Sequence, residues 1–204
     1  MSKTNNGKKN RFVFLTVLIL ISIGSCASVV GEKRPHVYLT NSAKYVLISP
    51  AGIKKPMDMA QYISASYGGQ DYYFNAWVKA DETGMDIVLF NELGSSMGDL
   101  FYRDGVVDIS SNVFPASLKP EYIIADFQLC FYDPVLLKQA LKACGLTLET
   151  RGEAQPGYVR SSVPGVRRIL KGKNLIIEIE ETRDAVKFVN HLREYTYTLQ
   201  GEFE

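Results

Sequence analysis

Residue types that commonly build catalytic and metal sites are scarce in this sequence. Its 204 residues include two histidines, His36 and His191, and three cysteines. Neither histidine has a cysteine or carboxylate at the spacing of a metal-binding motif, and no pair of a nucleophile and a base can be named. No segment has the glycine and lysine spacing of a phosphate-binding loop. We therefore expect a protein that is not an enzyme and that uses no metal or organic cofactor.

Long runs of one charge are also missing. No stretch carries five or more like charges, and the formal net charge of the whole chain is +1. Proteins that bind nucleic acids concentrate their basic residues in a patch or stripe. We therefore expect no nucleic-acid partner.

The apolar run near the N terminus, from Phe12 to Ile23, is too short to span a membrane. It has 12 residues, whereas a spanning helix needs about 20. Four Lys or Arg residues precede it, no acidic residue occurs before Glu32, and the small residues Gly24 and Ser25 follow it. A basic lead, a short apolar core and small residues beside the cleavage point are typical of a secretory signal peptide.

Cys26 follows these small residues directly, and the segment Ile23-Gly24-Ser25-Cys26 resembles a bacterial lipobox. In that pattern the signal is cut before the cysteine, whose thiol then carries a diacylglycerol. An ordinary signal peptide with a chance cysteine and an uncleaved anchor are the alternatives. Cleavage would leave 179 residues and remove four of the 23 basic residues but none of the 22 acidic ones, giving a net charge of −3. Ala27, in place of aspartate, implies sorting to the outer membrane, facing the periplasm.

Turn signals and apolar periodicity predict strands, then two helices, then strands. Two brief extended pieces are expected within residues 36–50. An antiparallel meander is then predicted, with turns at Gly68-Gly69, at the segment 81–84 and at Asp104-Gly105. Apolar residues recur at helical spacing from Glu121, and Asp133-Pro134 is a typical helix start. Further strands are predicted up to residue 200, which makes the fold class α+β.

The central strands of the predicted meander have apolar residues on both faces. The segments 71–78 (DYYFNAWV) and 86–90 (DIVLF) do not alternate between apolar and polar side chains. Strands of an antiparallel sheet with one solvated face normally do alternate. We therefore expect packed protein or an enclosed ligand on each face of these strands.

The order and spacing of several segments resemble a family of bacterial lipoproteins defined by a domain of unknown function. The likeness covers roughly residues 36–200 and is carried most clearly by the segment 120–141, PEYIIADFQLCFYDPVLLKQAL. No single motif in it is specific. The matching positions are Gly94, Leu100, Tyr102, Gly105, Ala125, Asp126, Gln128, Leu129 and Pro134.

This family is related in fold to LolA and LolB, the lipoprotein carriers of the Gram-negative envelope. The resemblance implies a curved antiparallel half-barrel sheet with a helical pair closing one side around a cavity for acyl chains. Members are often encoded among genes for aryl-polyene or related lipid-like products, which suggests acyl cargo. The expected organisation is a signal peptide at 1–25, a tether at 26–35 and a LolB-like lipid-binding domain at 36–204.

The expected function is therefore non-catalytic handling of acyl chains or lipidated cargo by a monomer that is tethered to the outer membrane through Cys26. A structural or scaffolding lipoprotein that acts through a protein partner is the alternative. Aromatic side chains could line the acyl cavity or fill a closed core. The candidates for the lining are Tyr72, Phe74, Trp77, Phe90, Phe101, Tyr102 and Phe127.

Three further groups of polar residues invite predictions. Cys130 and Cys144 would lie about 10 Å apart along a helical hairpin that turns at residues 133–134, too far for a disulfide, so we expect two buried thiols. Asp126 is either a solvated or capping residue or a polar contact at a cavity mouth. A basic cluster is expected to pair across strands with glutamates or to contact anionic lipid headgroups; it comprises Arg167, Arg168, Lys171 and Lys173, with Glu178, Glu180 and Glu181 as the acids.

Overall fold

The computed structural model describes residues 34–111, 119–152 and 165–201. Within these ranges the predicted order of strands, two helices and strands is confirmed. The first strands are β1 (His36–Tyr38), β2 (Lys44–Val46), β3 (Met57–Tyr67), β4 (Gln70–Ala80), β5 (Met85–Phe90), β6 (Ser96–Arg103) and β7 (Val106–Ser111). Helices α1 (Pro120–Phe131) and α2 (Pro134–Ala143) follow, and then β8 (Thr147–Arg151), β9 (Gly165–Lys171), β10 (Asn174–Glu181), β11 (Ala185–Asn190) and β12 (Tyr195–Gln200).

Ten of these strands form one antiparallel sheet in the order β7-β6-β5-β4-β3-β12-β11-β10-β9-β8. The sheet consists of two five-stranded meanders, and β12 joins them by pairing with β3, with Tyr195 opposite Tyr67. Strands β7 and β8 lie at opposite edges, so the sheet is not closed. β1 and β2 form a separate two-stranded sheet.

Local sequence signals explain the hairpins. Gly68 and Gly69, between β3 and β4, both have positive φ angles, as do Asp104 and Gly105 between β6 and β7. Two adjacent positive φ angles are what tight two-residue hairpin turns require, and glycine and aspartate tolerate them best. The hairpin signals in the sequence are therefore confirmed. The glycine and proline in the segment 51–58 predict a loop, but strand β3 already begins at Met57.

Helix α1 is buried around its whole circumference, because the large sheet lies on one side and the β1–β2 pair on the other. Residues 124–130 are all buried. In α2, Oδ1 of Asp133 accepts hydrogen bonds from the backbone N–H groups of Val135 at 2.8 Å and Leu136 at 3.1 Å. This confirms the predicted helix start, since a side-chain oxygen satisfies donors that the first turn leaves free.

The core lies on one face of the large sheet, which we call the helix face because α1 packs against it. Alternate residues point to it, including Ile87 in β5, Leu100 in β6, Ile177 in β10 and Phe188 in β11, and all four are buried. The core residues of the described ranges lie between Val37 and Leu199 and belong to one compact unit.

The opposite face of the sheet, the open face, departs from the expectation. Trp77 is 47% exposed and Tyr73 is 51% exposed. The prediction that packed protein covers both faces is therefore wrong for β4, whereas the open-face residues of β5 are half-buried. The cause is that an aromatic residue at an outward position gives the same apolar pattern as a buried one.

Several predicted features lie outside the described residues. They are the signal peptide, Cys26 with most of the tether, and the strand-like segment 157–163. Among the helices that the structure does describe, none has the length and apolar character needed to cross a bilayer.

Candidate functional site

The candidate site is the helix face of the two central strands, β3 and β4. Here Ala65 lies opposite Tyr72, Ile63 opposite Phe74, and Gln61 opposite Ala76. These six residues form a continuous row of pairs from the β3–β4 turn to the middle of the sheet, which we call the apolar track.

The apolar track is open at the end near the turn. The rings of Tyr72 and Phe74 are stacked, with centroids 6.4 Å apart and planes inclined by 16°. Tyr72 is 39% exposed and Phe74 is half-buried, whereas Ala76 is 2% exposed. Aromatic faces therefore reach the solvent at one end of the track, and the other end is enclosed.

Beside the track, α1 is attached to the sheet by a buried polar pair. The hydroxyl of Tyr195 donates a hydrogen bond to Oδ2 of Asp126 at 2.6 Å. Burial raises the pKa of Asp126 to about 7, although this hydrogen bond and the nearby Arg193 act in the opposite direction. Asp126 is only 8% exposed. It is not the solvated residue of one sequence-based alternative but a contact between helix and sheet.

Aromatic rings form the floor under α1. Phe188 on β11 stacks on Tyr197 with a centroid distance of 4.7 Å and on Tyr195 at 5.8 Å, and both pairs are nearly parallel. Sγ of Cys130 on α1 lies 3.9 Å from the hydroxyl of Tyr197. Burial is the main cause that raises the pKa of Cys130 to about 12 and the pKa of Tyr197 well above its usual value. This part of the helix face is therefore filled by the protein's own side chains.

On the other side of α1, Gln128 forms hydrogen bonds with β2 and the segment that follows it. Its Oε1 accepts hydrogen bonds from the Tyr45 hydroxyl at 3.1 Å and the Ile48 N–H at 3.0 Å, and its Nε2 donates to the Ile48 carbonyl at 2.7 Å. The side chain is fully buried. Every polar atom of this amide has a partner, as buried polar groups normally do.

The basic cluster predicted from the sequence is divided between the two faces of the sheet. Arg168 lies on the open face, and its Nε donates to Oε1 of Glu178 at 2.7 Å, which confirms the predicted cross-strand pair. Arg167 is 4% exposed on the helix face and donates to the carbonyls of Leu129 and Tyr132, both at 3.1 Å. It binds the C-terminal carbonyls of α1, so the prediction that it pairs with the glutamates is wrong.

The seven aromatic residues predicted to line a cavity do not share one surface. Tyr72, Phe74 and Tyr102 lie on the helix face, and Phe127 belongs to α1, where it packs on Phe131 with ring centroids 4.7 Å apart. Tyr102 is 2% exposed, and its hydroxyl donates to the Ile48 carbonyl at 3.0 Å. The remaining three lie on the open face: Trp77, Phe90 and Phe101.

Two shallow hollows lie at the ends of hairpins. One of about 290 Å³ lies beside the β3–β4 and β11–β12 turns and includes Tyr67, Asn190 and His191 in its lining. Another of about 360 Å³ lies between Tyr73 and the β5–β6 turn. Both are open to solvent and neither is an enclosed cavity.

The segment 94–98 has the sequence Gly-Ser-Ser-Met-Gly, which fits the Gly-x-Ser-x-Gly pattern of hydrolases. The serine of that motif occupies a sharp turn from a strand into a helix. Ser96 instead begins β6 directly after a hairpin turn, so the motif lacks its structural context. In the described ranges no three His, Cys, Asp or Glu residues lie together as a metal site would require.

Sequence reasoning did not single out Gln61. Its side chain is 3% exposed on the helix face, and its Nε2 has no hydrogen-bond partner. The alternation of side chains in β3 could have identified it. Gln61 points to the same face as Ile63 and Ala65 and so occupies a position where an apolar residue is expected.

Most of the segments that carry the family resemblance lie within the match to a known family model. The model for a protein of unknown function, DUF3261, matches residues 58–201, which include β3 except its first residue, β4–β7, both helices and β8–β12. In the comparison with curated proteins, none matches the sequence. The chain belongs to the DUF3261 family.

Proposed function

We propose that this protein is a lipoprotein of the outer membrane that faces the periplasm and binds acyl chains or lipidated cargo on the helix face of its sheet. Cys26 would carry the anchoring lipid. The process is non-catalytic binding, driven by the transfer of hydrocarbon out of water at about 0.8 kcal/mol per methylene group.

The observation that supports this proposal most directly is the apolar track. Its paired side chains run from the half-buried Tyr72–Phe74 stack to the enclosed middle of the sheet. Ligand sites are typically concave, largely apolar and fitted with few polar groups. An open, stacked aromatic pair that leads into a core fits the entrance of such a site.

The proposal includes a fold like that of LolA and LolB, with a sheet curved around the helices. An unclosed antiparallel sheet of ten strands, with a helical pair between its two edge strands in sequence, is compatible with a half-barrel. In this interpretation α1 occupies most of the concave side, and the apolar track is the part that it leaves open.

The second candidate function is a scaffolding lipoprotein that binds a protein partner. It is favoured by the large aromatic residues that the open face exposes, since interface patches are enriched in Tyr, Trp and Phe. The exposed fractions range from 39% to 51% for Tyr62, Tyr73, Trp77 and Phe101.

Lipid binding separates the two candidates. A soluble chain that begins at residue 26, with the substitution Cys26→Ser, retains the complete core. We expect it to co-purify with lipid in native mass spectrometry and to bind a fluorescent fatty acid. Phe74→Ser should weaken that binding, whereas Phe101→Ser, a matched change on the open face, should not. A bare chain that takes up no fatty acid would favour the scaffold.

The anchor has its own test. Cells that express the full chain should incorporate labelled palmitate into it, and Cys26→Ser should abolish the label. Cys130→Ser is the control and should leave labelling unchanged. Label that persists in the Cys26 variant would refute the anchor without bearing on acyl binding.

A further inference from the structure

Gln61 occupies the centre of the large sheet. It is the fifth of the eleven residues of β3, and β3 is the fifth of ten strands across the sheet. Its side chain points to the helix face, between Met59 and Ile63 and opposite Ala76. A carboxamide therefore lies in the middle of an apolar layer.

The amide nitrogen of Gln61 is buried without a hydrogen bond. Nε2 has no partner, and the residue is 3% exposed. Buried polar groups are nearly always paired, because an unpaired one loses its bonds to water without replacement. Gln128, the other glutamine that is buried in the described part of the chain, shows the usual situation, since its Nε2 and Oε1 both have partners. Gln61 thus keeps a donor available where a leucine or methionine would be more favourable for folding alone.

The apolar track connects this donor to the solvent. From Gln61 the helix-face residues Ile63 and Ala65 lead along β3 to the turn, and Phe74 and Tyr72 flank them on β4. Four residues of strand correspond to about 13 Å. A hydrocarbon chain that lies along this row would have one end at the Gln61 amide and would leave the protein beside Tyr72.

The neighbours of Gln61 are small or flexible. Ala76 lies opposite it on β4, and on its other side lies Gly201, where an added Cβ would come within 3.7 Å of Cγ of Gln61. Met59, the next helix-face residue of β3, is only partly buried. Methionine is unbranched and adapts its shape readily. A compact group can therefore be accommodated here by rearranging side chains without unfolding a strand.

We propose that Nε2 of Gln61 is the hydrogen-bond donor for the neutral carbonyl group of a single-chain acyl ligand, bound with its carbonyl end at the middle of the sheet. This inference rests on the proposed function and adds the polar group that the ligand must carry. A plain hydrocarbon would leave the donor unpaired.

We expect the carbonyl group of the ligand to be neutral because the residues around Gln61 carry no charge. Gln61 and its helix-face neighbours Met59, Ile63, Ala76 and Phe74 are all uncharged. An ionised carboxylate that is buried without a cation pays a large desolvation cost. An ester or amide carbonyl accepts the same hydrogen bond without that cost.

The test compares three fluorescent probes on the soluble Cys26→Ser chain at pH 8. They are pyrene-labelled decane, the methyl ester of pyrene-labelled decanoic acid, and the free acid. We expect the ester to bind about tenfold more tightly than the alkane, the gain of one hydrogen bond to an otherwise unpaired donor. The free acid, ionised at this pH, should bind more weakly than the ester.

Gln61→Met should remove the preference for the ester while keeping the affinity for the alkane, and the variant should unfold at the same temperature or a higher one. Gln200→Met is the matched control, because Gln200 lies on the neighbouring strand and shares the other face with Tyr62. It should leave the preference intact.

The alternative outcomes are distinct. Equal binding of ester and alkane, with no effect of Gln61→Met, would overturn this inference and leave the proposed function standing. Tighter binding of the free acid than of the ester would overturn the neutral carbonyl. Failure of all three probes to bind the unsubstituted chain would overturn the proposed function as well.

Discussion

Tyr195 on β12 and Asp126 on α1 are joined by a buried hydrogen bond of 2.6 Å between the tyrosine hydroxyl and Oδ2 of the aspartate. Burial raises the pKa of Asp126 to about 7. Burial at this position therefore favours the protonated carboxyl group at pH values below about 7. The contact that attaches α1 to the sheet is consequently also a source of pH dependence.

We expect the free energy of unfolding to fall as pH rises from about 4 to about 7. An unfolded aspartate has a pKa of about 3.9, so in this window the folded state holds a proton that the unfolded state has released, and stability declines with pH. The stabilisation from the proton that Asp126 retains in the folded protein is fully present below pH 4. It is lost as pH passes through the pKa of Asp126 in the folded state. Three pKa units correspond to about 4 kcal/mol. Urea unfolding at pH 4, 5, 6, 7 and 8 measures it.

Asp126→Asn is the diagnostic variant, because an asparagine oxygen accepts the same hydrogen bond without titrating. We expect it to remove most of the decline and to be more stable than the unsubstituted protein at pH 8. Asp133→Asn is the control, since Asp133 is a helix cap at the start of α2 and asparagine caps equally well. An unchanged slope in Asp126→Asn would show that Asp126 is ionised throughout the range.

A second prediction concerns two adjacent arginines of β9. Arg167→Met should lower the free energy of unfolding by about 2 kcal/mol, because the carbonyls of Leu129 and Tyr132 lose a buried, charged donor. Arg168→Met should cost less than about 1 kcal/mol, since its partner Glu178 and the arginine itself are partly solvated. Thermal or urea unfolding of both variants tests the difference. Equal losses would mean that the carbonyl contacts of Arg167 do not stabilise the fold.

The third prediction concerns the thiols. Cys130 and Cys144 are free, as the predicted helix geometry requires, but Cys144 is only partly buried. In the soluble Cys26→Ser chain we expect Ellman's reagent to modify Cys144 slowly and Cys130 only after unfolding, because Cys130 is 3% exposed and its pKa is raised to about 12. Cys144→Ser should abolish the reaction of the folded chain. Reaction of that variant at the original rate would place an accessible thiol at Cys130.

Features that depend on neighbouring residues in the sequence could be predicted. The Asp133 cap, the Gly68-Gly69 turn and the Asp104-Gly105 turn each require a particular local backbone, which only a few residue types allow. The order of elements followed from them. The start of β3 at Met57 could not be predicted, because the glycine and proline of the segment 51–58 favour a loop.

The functions of individual side chains depended on contacts between distant segments and could not be predicted. Arg167 and Arg168 look alike in the sequence, yet their alternation in β9 places one under α1 and the other on the partly solvated open face. The partners of Asp126 and Gln128 lie 69 and 80 or more residues away. Among the predicted aromatic residues, Tyr72 and Trp77 were assigned to one surface. They are five positions apart in β4, and because successive side chains of a strand point to opposite faces, they lie on different sides of the sheet.

The final prediction uses Trp77, the single tryptophan of the chain. Because Trp77 is 47% exposed on the open face, its fluorescence should lie at long wavelength, close to that of free tryptophan, and acrylamide should quench it readily. An acyl ligand on the apolar track should leave both properties unchanged, since the sheet lies between them. A protein partner on the open face should shield Trp77 from acrylamide and shift its emission to shorter wavelength.

Tyr73→Ser supplies the control, because Tyr73 shares the open face with Trp77 and is 51% exposed. It should weaken a protein partner and leave acyl binding intact, whereas Phe74→Ser, at the next position and on the opposite face, should do the reverse. Emission at short wavelength from the free protein, with little quenching, would mean that Trp77 is enclosed and would return it to the predicted lining of the acyl site.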